Sequence, residues 1–106
     1  MINSVYIHAM TTLSQFLGAP SELDSGNGAR FRVGSGYLLT IYHSNLAGGN
    51  RAEIAFKPGS LTQIDQICSL TNHPVNPDRQ YNWPRVGIRS TEEVDSIADA
   101  IRRFVA

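Results

Sequence analysis

The sequence predicts one α+β domain, in the order α-β-β-β-α-β-α, with an antiparallel sheet and its helices packed on one face. Three observations lead there. Apolar residues recur at helical spacing near both ends of the chain, over residues 4–17 and after Ser90. Between them, "ARFRV", "YLLTIYHS" and "RAEIAFK" alternate with a period of two. The turns joining these strands are short and rich in Gly and Asn, which makes the strands antiparallel neighbours. At 106 residues the whole chain, 1–106, has the size of a single domain.

The first helix, "SVYIHAMTTLSQFL", places Tyr6, Met10, Leu13 and Leu17 on one stripe, which Val5, Ala9 and Phe16 widen. Gly18 and Pro20 stop it. No charged residue occurs before Glu22. Its polar side (His8, Thr11, Thr12, Gln15) is either an uncharged wet face or a contact with a second copy through residues 4–17. "SELDSGNG" reads as a loop. In the first strand Ala29, Phe31 and Val33 oppose Arg30 and Arg32. In the second, Tyr37, Leu39 and Ile41 oppose Leu38, Thr40 and Tyr42. In the third, Ala52, Ile54 and Phe56 oppose Glu53, Ala55 and Lys57.

Pro58-Gly59 ends the third strand, and Ser60 with Gln63 predicts a capping box opening a helix that buries Leu61, Ile64, Ile67 and Cys68. "TNHPVNPDRQYNWP" is a long loop, and "RVGI" is the fourth strand. A second capping box, Ser90 with Glu93, starts the last helix, whose stripe is Val94, Ile97, Ala98, Ile101, Phe104 and Val105.

Hydrophobic residues make up 42% of the chain and charged ones 17%, with zero formal net charge. That describes a globular domain with no global attraction to nucleic acid or acidic membranes. Eight of the nine basic residues are arginine; Lys57 is the exception. Arginine's planar fork suits phosphates, carboxylates and aromatic faces, although coding bias accounts for such a ratio equally well. A single cysteine excludes an intrachain disulfide and a cysteine-rich zinc site. No basic, apolar leader opens the chain and no run reaches the ~18 apolar residues of a membrane span. A cytoplasmic protein with no membrane association is therefore expected.

No motif identifies a reaction. His8, His43 and His73 lie on a helix, a strand and a loop without ligand spacing, so no metal is expected. The glycines interrupt strands instead of opening a helix after one, and no phosphate-cradling Gly-Lys-Ser/Thr is present, so no nucleotide cofactor is expected. Glu53 and Lys57 share a strand face, but Ala55 stands where a metal-dependent nuclease would need lysine. Cys68 falls on an apolar stripe and reads as a buried thiol. No catalytic residue is assigned.

What remains is a surface. If the apolar strand faces meet the helices, the other face presents Arg30, Arg32, Thr40, Tyr42, Glu53 and Lys57. Arg85 and Arg89 flank Gly87 on the fourth strand, and the preceding loop adds Arg79, Tyr81 and Trp83. Arginine for phosphate and rings for stacking are what nucleic-acid binding requires, so Arg30, Arg32, Lys57, Arg79, Tyr81, Trp83, Arg85 and Arg89 form the candidate site. The plainer alternative is a solvated arginine cover, with Trp83 as a plug closing the sheet end. Two further readings stand beside this one. The chain could be an interaction or regulatory adaptor, dimeric through the first helix, or a ligand-binding protein or enzyme using His73, Asp78 and Trp83.

Several stretches together resemble the MmcQ/YjbR family of small bacterial proteins, whose double-wing fold is related to that of the frataxin-like CyaY proteins. They are "FLGAPSEL", "FRVGSGYLLTIY", "AEIAFKPGSLTQI" and "HPVNPDRQYNWPRVGIRSTEEVDSIADAI", with Lys57 and Trp83 as the best point matches. The resemblance implies this α+β architecture and DNA binding. The frataxin relation implies iron, but that chemistry uses an acidic first helix, and here that helix has no acid.

Overall fold

The computed structural model describes residues 2–33, 36–76 and 82–105. Among the described residues three helices, α1 (Ser4–Leu17), α2 (Ile64–Cys68) and α3 (Thr91–Val105), accompany six strands. The strands are β1 (Ser21–Glu22), β2 (Gly28–Val33), β3 (Gly36–Tyr42), β4 (Ala52–Phe56), β5 (Pro74–Val75) and β6 (Arg85–Ile88). They form one sheet in the order β1-β2-β3-β4-β6-β5, antiparallel throughout. The expected α+β order is present, with β1 and β5 added as two-residue strands at the sheet edges. Edges this short offer little backbone to a foreign strand.

The register explains the core. Ala29 pairs with Ile41, Phe31 with Leu39, Leu39 with Phe56, Ile41 with Ile54, and Ile54 with Val86. All of these side chains therefore share one face, and they are buried with Val5, Ala9 and Leu13 of α1 and Val94, Ile97 and Ile101 of α3. Burial of each large apolar side chain contributes about 1.5–3 kcal/mol, so this layer dominates the stability. α1 packs against α3, and α2 packs beside α3. His8 Nε2 reaches Asp95 Oδ1 at 2.7 Å across the helix pair, which puts one end of α1's polar face into a contact.

Two expectations need correction. The pairing of β2 with β3 slips between Phe31 and Arg32, where Phe31 faces Leu39 but Arg32 faces Tyr37. Leu38 is the extra residue of a β-bulge. Strict alternation put Leu38 on the outer face and Tyr37 in the core; the bulge reverses both, because an extra residue changes the parity of everything before it. Leu38 joins the core cluster, and Tyr37 turns to the arginine side.

The second correction concerns Ser60. Its hydroxyl donates to the carbonyls of Lys57, at 2.6 Å, and Leu38, at 3.2 Å, instead of capping a helix. The helix starts only after Gln63, runs five residues and has no side-chain cap. Leu61 is buried ahead of it.

The other serine does cap its helix, although the returning Glu93 bond goes to the residue before the cap and not to Ser90 itself. Ser90 Oγ accepts from the Glu93 backbone N–H at 3.2 Å, and Glu93 Oε1 accepts from the Arg89 N–H at 2.8 Å. Asn3 caps α1 in the same way, its Oδ1 accepting from the Tyr6 N–H at 3.0 Å. Replacing Ser90 with alanine should therefore cost about 1 kcal/mol. Urea unfolding of the S90A variant checks this, with the midpoint lowered and the slope unchanged.

Candidate functional site

The face of the sheet turned away from the helices was expected to be wet. It is not: Thr40 and Glu53 are each only 1% exposed, and every residue of β4 is buried. The connection between β3 and β4 covers one part of this face, and a layer of aromatic and arginine side chains covers another.

Glu53 organises the first part. Its register partner is Gly87, and a side chain at Gly87 would collide with Asn50, so glycine leaves the space in which Asn50 lies over the sheet. Glu53 Oε2 accepts from the Ala47 N–H at 2.7 Å and from Asn50 Nδ2 at 2.9 Å. Its Oε1 accepts from Arg85 Nε at 2.9 Å and lies 2.9 Å from Nη2 of the same guanidinium in an ion pair. A buried carboxylate tolerates its lost hydration only with such a set of donors, one of them charge-assisted. Arg89 then clamps the covering loop from outside, donating from Nε to Asn50 Oδ1 at 3.1 Å and from Nη2 to the Gly48 carbonyl at 3.2 Å.

The second part is a cavity of about 240 Å³ whose floor is Thr40 and Ala55, register partners on β3 and β4. Arg30 and Tyr37 wall one end, and Tyr42, Trp83 and Arg85 the other. The Arg85 guanidinium lies 4.4 Å from the centre of the Tyr42 ring. At the opposite end the guanidiniums of Arg30 and Arg32 lie 5.1 and 4.5 Å from the centre of the Tyr37 ring. Arg32 Nη2 also donates to the Tyr37 hydroxyl at 2.9 Å. The space is smaller than the ~300 Å³ at which pockets for larger organic ligands begin, and suits a single planar ring.

Trp83 belongs neither to the buried core cluster nor to the fully exposed surface. It is half-buried at the cavity wall. The chain reaches it through Asn82, whose φ of 55° is a left-handed conformation that asparagine adopts more readily than most residues. The Pro84 carbonyl accepts from the Phe56 N–H at 2.8 Å, which carries the β4–β6 pairing up to the tryptophan.

Of the residues assigned from sequence, Arg30, Trp83 and Arg85 converge on the cavity, and Arg32 stands beside it on Tyr37. Lys57 is exposed just beyond the end of β4, and Arg89 serves the covering loop. Arg79 and Tyr81 lie outside the described residues, as does Asp78. Tyr37 was missed because alternation alone placed it in the core. Thr40 and Ala55 carry no signal in sequence that would mark them as a cavity floor.

The other candidate chemistry is dispersed. His73 Nε2 meets Glu93 Oε2 on α3 at 2.9 Å and does not line the cavity. Burial, and after it the Asp65 carboxylate, push the Cys68 thiol up to about 11, leaving it protonated near neutrality and a poor nucleophile. Among the described residues no group of three or more His, Cys, Asp or Glu side chains could hold a metal ion. No described helix is long and apolar enough to cross a membrane.

No family model matches the chain, and no curated protein or solved structure is similar enough to it to count as a match.

The Glu53–Arg85 pair makes a sharp prediction. Glu53→Ala leaves Arg85 without its counter-charge and two donors without an acceptor, so unfolding free energy should fall by about 3–5 kcal/mol. Urea or thermal unfolding measures it. An exposed, dispensable pair would lose less than about 1 kcal/mol.

Proposed function

We propose that this domain is a non-enzymatic module that binds single-stranded nucleic acid, seating one base in the cavity on the outer sheet face. The observation that carries this reading is the convergence of Arg30, Arg85, Tyr37, Tyr42 and Trp83 around a space of about 240 Å³. Rings and guanidinium planes stack on any base, and a cavity of this size accepts one ring system. Its lining includes no acidic side chain among the described residues, which suits a polyanion. A base can enter only when unpaired, so a single strand fits and an intact duplex does not. The resemblance to the MmcQ/YjbR family points toward DNA as well. With zero net charge over the chain, affinity must come from this local face and not from long-range attraction.

Trp83 is the only tryptophan, so its emission reports on the cavity without interference. Labelled single-stranded and duplex oligonucleotides should be titrated at low and moderate salt, following anisotropy and Trp83 emission together. The expected result is binding of the single strand that weakens with salt and changes the emission, with duplex binding much weaker. No anisotropy change at low salt would exclude the reading.

A second reading, an adaptor dimeric through α1, draws on a different observation. Ile2 and Ile7 are 50% and 53% exposed, beside a groove lined by Tyr6 and Met10. Sedimentation over a wide concentration range should then show dimer that Ile7→Glu abolishes; a monomer throughout excludes it.

A further inference from the structure

Resting on the nucleic-acid reading, we propose that the cavity divides its work between its two ends. The Arg30–Arg32 end takes the negative charge of the phosphodiester, and Arg85 acts as a neutralised stacking wall for the base. The two ends share the residue type and differ in their surroundings.

At the first end, two guanidiniums two residues apart on β2 lie over one ring, that of Tyr37. Neither arginine has a carboxylate partner among the described residues. Arg30 Nε is buried and has no hydrogen-bond partner. Like charges held together without a counter-ion repel, and a buried donor left unused is costly. Phosphates of the strand placed against the two guanidiniums, one to each, relieve the repulsion.

At the other end, Arg85 is already committed to the buried carboxylate of Glu53 through one hydrogen bond and an ion pair, and the pair is neutral as a unit. What Arg85 offers a ligand is a flat surface, held over Tyr42 and beside Trp83. The charge of the ligand therefore belongs at the Tyr37 end and its ring at the Tyr42–Trp83 end. A phosphodiester-linked nucleotide has both parts in one unit.

Salt dependence separates the two roles, because only contacts to phosphate release counter-ions. The test titrates a labelled dT oligonucleotide against wild type, R30Q, R32Q and R85K, from about 50 to about 200 mM salt. Each of R30Q and R32Q should make the slope of log K against log salt shallower by about 0.7. Across that fourfold change in salt, each variant should lose about 2.6-fold less affinity than wild type. R85K keeps the charge facing Glu53 but loses the planar surface. It should weaken binding at every salt concentration and leave the slope unchanged. An oligonucleotide with an uncharged methylphosphonate backbone should still change the Trp83 emission of wild type, with almost no salt dependence.

Thermal unfolding of the variants guards against misfolding, which Arg32 and the half-buried Arg30 do not invite. Wild-type slopes in both R30Q and R32Q would overturn the division of roles, as would an equal loss of slope in R85K. Absence of any binding by wild type at low salt would instead overturn the nucleic-acid reading, and this inference with it.

Discussion

A carboxylate buried in the middle of a sheet face is the constraint on which the rest of this face depends. Glu53 sits on a central strand at 1% exposure, where an unpaired charge would be untenable. It is satisfied from two directions, by the β3–β4 connection through Ala47 and Asn50 and by the neighbouring strand through Arg85. Each partner is in turn fixed by something else. Asn50 needs the space that Gly87 leaves and the grip of Arg89, and Arg85 needs the Tyr42 ring beneath its guanidinium. One acidic residue thus determines where the covering loop ends and where the cavity begins. A buried ion pair is weak evidence for stability. Here its clearer effect is geometric, because it fixes the position of one wall of the cavity.

The first and last helices, the four main strands and most of the core face were legible in the sequence because periodicity encodes them directly. "ARFRV" and "RAEIAFK" alternate cleanly, and the α3 stripe from Val94 to Ile101 is buried as spaced. The candidate site was only half legible. Arg30, Arg85 and Trp83 declare themselves by residue type, but their convergence depends on three things that no local pattern contains. The bulge at Leu38 brings Tyr37 to the arginine side. The burial of Glu53 turns Arg85 from a free cation into half of a pair. Gly87, which read as an interruption between two outward arginines, is the space that allows a loop to close over the sheet.

The two capping signals show the same limit from the other side. Ser60-x-x-Gln63 and Ser90-x-x-Glu93 are equivalent as sequence, yet only the second caps a helix. Ser60 follows Pro58-Gly59, and its backbone N–H donates to the Lys57 carbonyl at 3.0 Å, so a turn captures it before a helix can start. α3 has a long apolar stripe to fund its nucleation, whereas the stretch after Ser60 buries only Leu61, Ile64 and Ile67. A hydroxyl follows the backbone it finds; it does not create the helix.

Preorganisation links this fold to the proposed binding. Long arginine side chains lose rotamer freedom when a ligand orders them, at about 0.5–1.5 kcal/mol each. On this face that loss is already met during folding, since Tyr37 and Tyr42 hold Arg30, Arg32 and Arg85 in place beforehand. In the proposed mode the aromatic residues therefore act twice, as surfaces for a ring and as templates for the cations. The arrangement also explains how a chain of zero net charge could hold an anion. Acid and base are not evenly mixed over the sheet face: Glu53 neutralises one end of the cavity and leaves the other positive. In the proposed mode affinity comes from that local asymmetry and from stacking, so a molecule offering charge without a ring, or a ring without charge, uses only half of the site.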